Sequence, residues 1–141
     1  MKYFSSTRSA ILYLSYDGIL EPLGESQVLN YLEHLSVSYD ITLISFEKRS
    51  DISEESRLLK FKERLEKIGI HWHPLRYHKS PAVLSTAYDV ARAWWYAWRW
   101  QRRHQSGIAH ARGYVAGLVA LLVKQRPRIR FLFDMRGFWP E

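Results

Sequence analysis

Two residues in the second half of the sequence have the chemistry to bind a polar or anionic ligand. His110 and Arg112 stand two positions apart at the end of a short apolar run, and Gly113 follows them. A neutral imidazole both donates and accepts hydrogen bonds, and a guanidinium holds a phosphate or carboxylate through two parallel hydrogen bonds. We interpret His110 as a ligand contact, with Arg112 and Gly113 in the same binding loop. The alternative for His110 is a hydrogen-bonded structural histidine.

A second group of candidates lies in the loop that follows the apolar run at residues 10–15. Asp17 and Gly18 open this loop, and Gly24 comes just before a helical pattern that starts at Glu25. Free N–H groups at a helix N-terminus attract anions, and a glycine there lets a ligand approach the backbone. We therefore expect Asp17, Gly18 and Gly24 to bind substrate, although Gly24 alone is also typical of a turn.

Arg136 is the last candidate, and it follows the apolar run at residues 129–133. Its guanidinium is suited to a phosphate or another acidic ligand. The alternative is a salt bridge from Arg136 to Asp134 or Asp17.

The elements that must position these residues follow a regular order. Apolar runs at residues 10–15, 41–46, 70–75, 108–111 and 129–133 alternate with helical patterns, which predicts an α/β fold. We expect residues 1–141 to form one Rossmann-like domain with a doubly wound parallel sheet in the order 3-2-1-4-5 and helices on both faces. That order makes the first and fourth strands neighbours, so the loops at residues 17–27, 110–114 and 134–141 converge on one crevice.

Two covering helices have distinctive sequences. Residues 51–54 have the pattern of a capping box, which predicts a helix that begins at Asp51 and ends at Gly69. The helix at residues 81–104 carries four tryptophans and four arginines. Its most regular apolar stripe, which we expect to face the sheet, consists of Leu84, Tyr88, Ala91, Trp95 and Trp98.

That stripe leaves Trp94 and Trp100 for an exposed face of the long helix. Tryptophan prefers the headgroup boundary of a membrane, and basic residues are attracted to anionic lipids. The predicted contacts with an anionic membrane surface are Trp94, Trp100, Arg99, Arg102 and Arg103. The alternative is ordinary surface packing, in which arginine stems lie over aromatic rings.

The composition of the sequence limits the possible functions but does not identify one. The sequence is 47% hydrophobic, has no cysteine and carries a formal charge of +7, so we expect a folded domain with an anionic partner and without disulfides or thiolate metal sites. The sequence contains neither a signal-peptide pattern nor an apolar run long enough to span a bilayer, which predicts a cytoplasmic protein, or one at the inner face of the plasma membrane. Nucleic acid is not an expected partner, because the charges are mixed with glutamates and no nucleic-acid motif is present. A basic nucleic-acid-binding module remains an alternative.

The usual nucleotide and metal motifs are missing. We find no G-x-G-x-x-G, no phosphate-binding G-x-x-x-x-G-K-[ST] and no Asp-x-Asp, so we expect no bound cofactor and no metal. Glu47 follows the second strand, where NAD-binding domains keep a ribose-binding acid, and an NAD-type domain is therefore a further alternative. His71, His73 and His78 are a weaker alternative, a metal site.

At these residues the sequence resembles the N-terminal half of a family 4 glycosyltransferase of the retaining GT-B class. The likeness covers nearly the whole chain and follows loops as well as strands. It is carried by YDGILEPLGESQVLNYLEHL with ITLISFEK, by HWHPLRYHKSPAVLSTAYDV, by HARGYVAGLVALL and by FLFDMRGFWPE.

The resemblance implies an acceptor-binding domain that works with a nucleotide-binding C-terminal domain. Such an enzyme moves a sugar from a nucleotide-sugar to a hydroxyl of a sugar or lipid-linked acceptor, with retention and without a required metal. Gly24 would lie near the donor phosphates and His110 near the transferred sugar. Many members have a second histidine at the position of Arg112, so either His110 or Arg112 approaches the sugar. The sequence lacks the second domain, and we expect the N-terminal half to be truncated at its C-terminal end and inactive alone.

Overall fold

The computed structural model describes residues 8–104, 107–123 and 128–135. Its centre is a five-stranded sheet in which every pair of neighbouring strands is parallel, in the order β3-β2-β1-β4-β5. The strands are β1 (Ser9–Ser15), β2 (Tyr39–Glu47), β3 (Ile70–Arg76), β4 (Gly107–Arg112) and β5 (Ile129–Asp134). The predicted Rossmann-like α/β fold and strand order are confirmed.

Helices connect each strand to the next. The first is α1 (Pro22–Gly24), which runs through a π-helical turn (Glu25–Leu29) into α2 (Asn30–Leu35), and we call this continuous segment the first helix. The others are α3 (Arg49–Ser53), α4 (Glu55–Lys67), α5 (Ala82–Arg103) and α6 (Tyr114–Val123). None of the helices in the described ranges is long and apolar enough to cross a membrane.

The sheet separates two apolar cores. Alternate residues of each strand point to opposite faces, so one face meets the first helix and α4, which we call the front layer, and the other meets α5 and α6, the back layer. Strand β1 is buried at six of its seven positions, as expected for the central strand of a sheet that is covered on both sides. The front core is built around Tyr13, Leu29, Leu32, Leu43 and Leu65.

Two predicted helix starts were wrong. The first helix begins at Pro22 rather than Glu25, because proline is favoured at the first helical position. The capping box at residues 51–54 does not form. Asp51 lies inside α3 and pairs with Arg57 at 3.7 Å, while Glu54 leaves helical geometry with ψ of 77° and separates α3 from α4.

The orientation predicted for α5 was also wrong. Its buried residues are small, polar or aromatic: Ser85, Asp89, Ala93, Ala97, Trp100 and Gln101. The predicted stripe faces outward instead, with Leu84 71% and Tyr88 55% exposed. Ala93 and Ala97 on the buried face let the middle of the helix approach the sheet closely, and the larger side chains of the predicted stripe would hold it away at those positions.

Candidate functional site

The candidate site lies at the carboxyl ends of β1 and β4, where the strand order reverses. These strands are direct neighbours, and their register places Tyr13 opposite His110 and Ser15 opposite Arg112. Because all four side chains alternate onto the front face, Tyr13, His110 and Arg112 come together beside the first helix. The first and fourth strands are therefore neighbours, as predicted.

His110 is held between two tyrosines. Its ring centroid lies 4.6 Å from that of Tyr13 and 6.0 Å from that of Tyr31, which α2 supplies. The residue is 6% exposed, and its Nε2 atom has no hydrogen-bond partner among the described residues. Burial lowers the pKa of His110, with Asp134 opposing the shift and Arg112 adding to it. The imidazole is thus neutral near pH 7 and retains an unused nitrogen.

Arg112 links the end of β4 to the first helix. Its Nη2 donates a hydrogen bond of 2.6 Å to Oε1 of Gln27. The residue is 7% exposed, and no described residue accepts a hydrogen bond from its Nε. Burial raises the pKa of the Tyr13 hydroxyl although the neighbouring Arg112 lowers it. A buried guanidinium with an unsatisfied N–H can donate to an anionic or hydroxylated ligand.

Gly113 and Asp134 close the site on the side of β5. Gly113 has φ of 89°, a left-handed conformation that favours glycine, and its N–H donates to the carbonyl oxygen of Asp134 at 3.1 Å. Asp134 stands opposite Arg112 in the register of β4 and β5. Arg136, the remaining predicted phosphate contact, lies outside the described residues.

The loop after β1 is held by the buried carboxylate of Glu47, which the sequence suggested only as a ribose-binding acid. Glu47, at the end of β2, accepts backbone hydrogen bonds from Ile19 at 3.0 Å and Leu20 at 3.3 Å, and another from the Ser45 hydroxyl at 2.6 Å. A side chain at Gly18 would meet Glu47 Oε2 at 2.6 Å. Glu47 therefore fixes the backbone of the loop after β1. Because its carboxylate oxygens are buried and already accept these hydrogen bonds, they do not fit the ribose-binding role of the NAD alternative.

Of the other two predicted loop residues, Gly24 is buried and Asp17 is exposed. Gly24 is buried, and a Cβ there would collide with the carbonyl oxygen of Gly18 and lie 2.7 Å from Cα of Ile19. Its lack of a side chain thus serves packing of the first helix against the loop. Asp17 is exposed beside the site, and its carbonyl oxygen accepts from the Ser15 hydroxyl at 2.9 Å.

Sequence reasoning missed three side chains of the site: Tyr13, Gln27 and Tyr31. Tyr13 was predictable in principle, because strand alternation places residue 13 on the same face as residue 15. Gln27 and Tyr31 are four positions apart in the first helix, so they share one side of it. Their contact with β4 depends on how the helix lies across the sheet, and sequence periodicity does not give that angle.

The histidines of β3 and the following loop do not form a metal site in the described part of the chain, where no group of three possible ligands was found. His78 is instead bound by the buried Asp89, which accepts from the His78 N–H at 2.9 Å and contacts its Nδ1 at 2.7 Å. His71 and His73 lie on the back face of the edge strand.

Comparisons with protein-family models, with curated proteins and with solved structures found no match for this chain.

Proposed function

We propose that this domain is the acceptor-binding half of a glycosyltransferase that moves a sugar from a nucleotide-sugar to a hydroxyl with retention of anomeric configuration. The observation that carries the proposal is the buried pair His110 and Arg112, each with a polar atom that no described residue satisfies. Leaving such atoms without partners costs about 1–3 kcal/mol each. A site that keeps them at the reversal of strand order is suited to a polar ligand.

The chemistry asked of these residues is positioning and charge stabilisation. As the bond from the sugar to the nucleotide diphosphate breaks, negative charge grows on the leaving phosphate and the sugar gains oxocarbenium character. Arg112 would donate to the phosphate or to an acidic acceptor, and the neutral His110 would hydrogen-bond the sugar. Fixed donors in a water-poor site stabilise such charge without having to reorganise.

The resemblance to family 4 enzymes supports the same assignment and also implies a partner domain. A second Rossmann-like domain, on the same or another polypeptide, would hold the nucleotide-sugar across a cleft. No metal or cofactor is required in this proposal, since Arg112 and backbone N–H groups would bear the diphosphate charge. Asp17, Gly24 and Arg136 remain proposed contacts of the ligand.

A transfer assay tests the proposal. The protein, together with its nucleotide-binding domain, is incubated with a panel of labelled nucleotide-sugars and with membranes of the source cells as acceptor. We expect sugar incorporation that falls about a hundredfold or more in His110→Ala and is unchanged in Arg130→Ala, an exposed arginine on the neighbouring strand β5. Absence of transfer from every donor, or an equal rate in His110→Ala, would contradict the assignment.

We also propose that the outer face of α5 contacts an anionic membrane surface. The observation in favour is that Trp94, Trp95 and Trp98 are 40%, 44% and 38% exposed. Arg99 lies over the ring of Trp95 at 4.8 Å and Arg102 over that of Trp98 at 4.9 Å. Rings at the headgroup level next to cations match an anionic bilayer surface.

This set of contacts differs from the one expected from the sequence. Trp100 is 4% exposed and packs against the sheet, so it cannot reach a membrane, whereas Trp95 and Trp98 can. The apolar surface continues from Trp94 across Val83 to Leu118 and Leu122 of α6. Such continuity enlarges the area that a bilayer would cover.

Sedimentation with vesicles tests the membrane contact. We expect the protein to pellet with anionic vesicles and much less with neutral ones. Since each basic residue near an anionic surface contributes about 1 kcal/mol, Arg102→Glu should weaken binding by about tenfold or more. Lys60→Glu, an equal charge change on α4 in the front layer, is the matched control. Equal pelleting with both vesicle types, or an equal loss in Lys60→Glu, would overturn the proposal.

A further inference from the structure

A cavity lies at the edge strand β3, three strands away from His110 on β4. It is a groove of about 540 Å³ along the edge strand β3, between the C-terminal halves of α4 and α5. We call it the edge groove and define it by Lys62, His71, His73, Tyr96, Arg103 and His104. Its volume falls within the range of about 300–1,000 Å³ that is typical of small-molecule sites.

Cations outnumber carboxylates in the edge groove. Lys62, Arg99 and Arg103 line it, together with the two acids Asp40 and Glu66. Asp40 faces His71 at 3.9 Å and His104 at 4.0 Å. No carboxylate among the described residues lies within ion-pair distance of Lys62 or Arg103. A concave surface with unpaired cations concentrates anions from solution.

The cations reach the edge groove from different walls. Lys62 belongs to α4, Arg103 to α5, and His71 and His73 to the edge strand between them. Burial lowers the pKa of His73, and neighbouring cationic groups, among them Lys62 and Arg103, lower it further. With its pKa lowered, His73 can serve as a neutral hydrogen-bonding group beside these cations.

Aromatic side chains make up much of the remaining lining. The rings of His73 and Tyr96 meet in a tilted arrangement, with their centroids 5.4 Å apart and their planes 33° from parallel. Trp72 and Trp100 are also in the wall. A ligand that fits this groove therefore combines a compact anionic group with a flat or apolar part.

We propose that the edge groove binds a small phosphorylated molecule. Donors on three walls, α4, α5 and β3, can each bond a different oxygen of a phosphate, whereas a carboxylate offers only two oxygens. The aromatic wall takes the organic part of the ligand. This site is separate from the candidate site at the carboxyl ends of the strands, and it does not depend on the proposed transferase activity.

Histidine side-chain NMR with pyrophosphate as the probe tests this proposal. The chain has six histidines, of which three line the edge groove and two, His34 and His78, lie elsewhere and serve as internal references. The titration is run at constant pH and ionic strength. We expect saturable shifts of the His71, His73 and His104 signals and none of His34 or His78. His110 reports separately on the other site.

Charge-reversed variants complete the test. Lys62→Glu and Arg103→Glu, one from each helical wall, should each weaken pyrophosphate binding by about tenfold or more, since each replaces a cationic donor with a charge that repels the anion. Arg102→Glu is the matched control because Arg102 belongs to the outer face of α5. The proposal is overturned if the groove histidines do not shift, if the reference histidines shift equally, or if Arg102→Glu weakens binding as much as Arg103→Glu.

Discussion

Arg112 and Gln27 are 85 positions apart in sequence, yet their side chains form a hydrogen bond of 2.6 Å. This bond joins the end of β4 to the first helix and closes the site around His110. It depends on the reversal of strand order, which makes β1 and β4 neighbours. The Arg112 side chain is thus fixed to the protein through Nη2, while its Nε is buried without a partner among the described residues.

The first prediction concerns this linkage. Arg112→Ala removes the bond to Gln27 and the arginine stem from a buried position, so the free energy of unfolding should fall by about 1–3 kcal/mol. Arg130→Ala, an exposed arginine on the adjacent strand, should change it by less than about 0.5 kcal/mol. Urea unfolding followed by circular dichroism measures both. Equal effects of the two substitutions would show that Arg112 is not held as described.

Gly24 supplies the second prediction. A methyl group at this position would collide with the backbone of Gly18 and Ile19, which cannot move away as a flexible side chain could. Gly24→Ala should therefore destabilise the protein by about 1–3 kcal/mol, even though alanine is the better helix former. Ser26→Ala, at an exposed position in the same helix, is the control and should be nearly neutral. A stabilised Gly24→Ala variant would contradict the close packing of this helix on the loop.

Much of the fold was predictable from the sequence because each strand is a short apolar run that ends at a clear turn signal. The neighbouring positions of His110 and the loop after β1 followed from strand order alone. Helix orientation was not predictable in the same way. The most regular stripe on α5, from Leu84 to Trp98, is exposed, whereas its buried face includes Asp89 and Gln101. Apolar periodicity shows that a helix is amphipathic, but close packing on a sheet can select small residues over large ones.

The third prediction tests that orientation with two tryptophans of the same helix. Trp100 is 4% exposed and Trp98 is 38% exposed. Trp100→Ala should lower the free energy of unfolding by about 3–5 kcal/mol, because it removes a large buried side chain and leaves a cavity. Trp98→Ala should cost much less, since solvent already reaches its ring. Thermal or urea unfolding measures the loss of stability in both variants. A larger loss in Trp98→Ala than in Trp100→Ala would support the orientation expected from the sequence instead.

The last prediction concerns Glu47, the fully buried carboxylate that holds the loop after β1. Burial raises its pKa above the ordinary value of 4.5, although hydrogen bonds from Ser45, Ile19 and Leu20 act in the opposite direction. A carboxyl group whose folded pKa is raised binds its proton more tightly in the folded state. Its contribution to stability is therefore complete below about pH 4.5 and is lost as the pH rises through the folded pKa.

Glu47→Gln isolates this contribution because glutamine keeps the shape of the side chain but does not titrate. We expect wild type to lose stability relative to Glu47→Gln as the pH rises from about 4 to 7, since the other acids titrate alike in both proteins. The measurement is the difference between their free energies of unfolding across that range. Any change in hydrogen bonding by the amide adds an offset that does not vary with pH. A difference that stays flat, or that moves in favour of wild type as the pH rises, would show that the folded pKa of Glu47 is not raised.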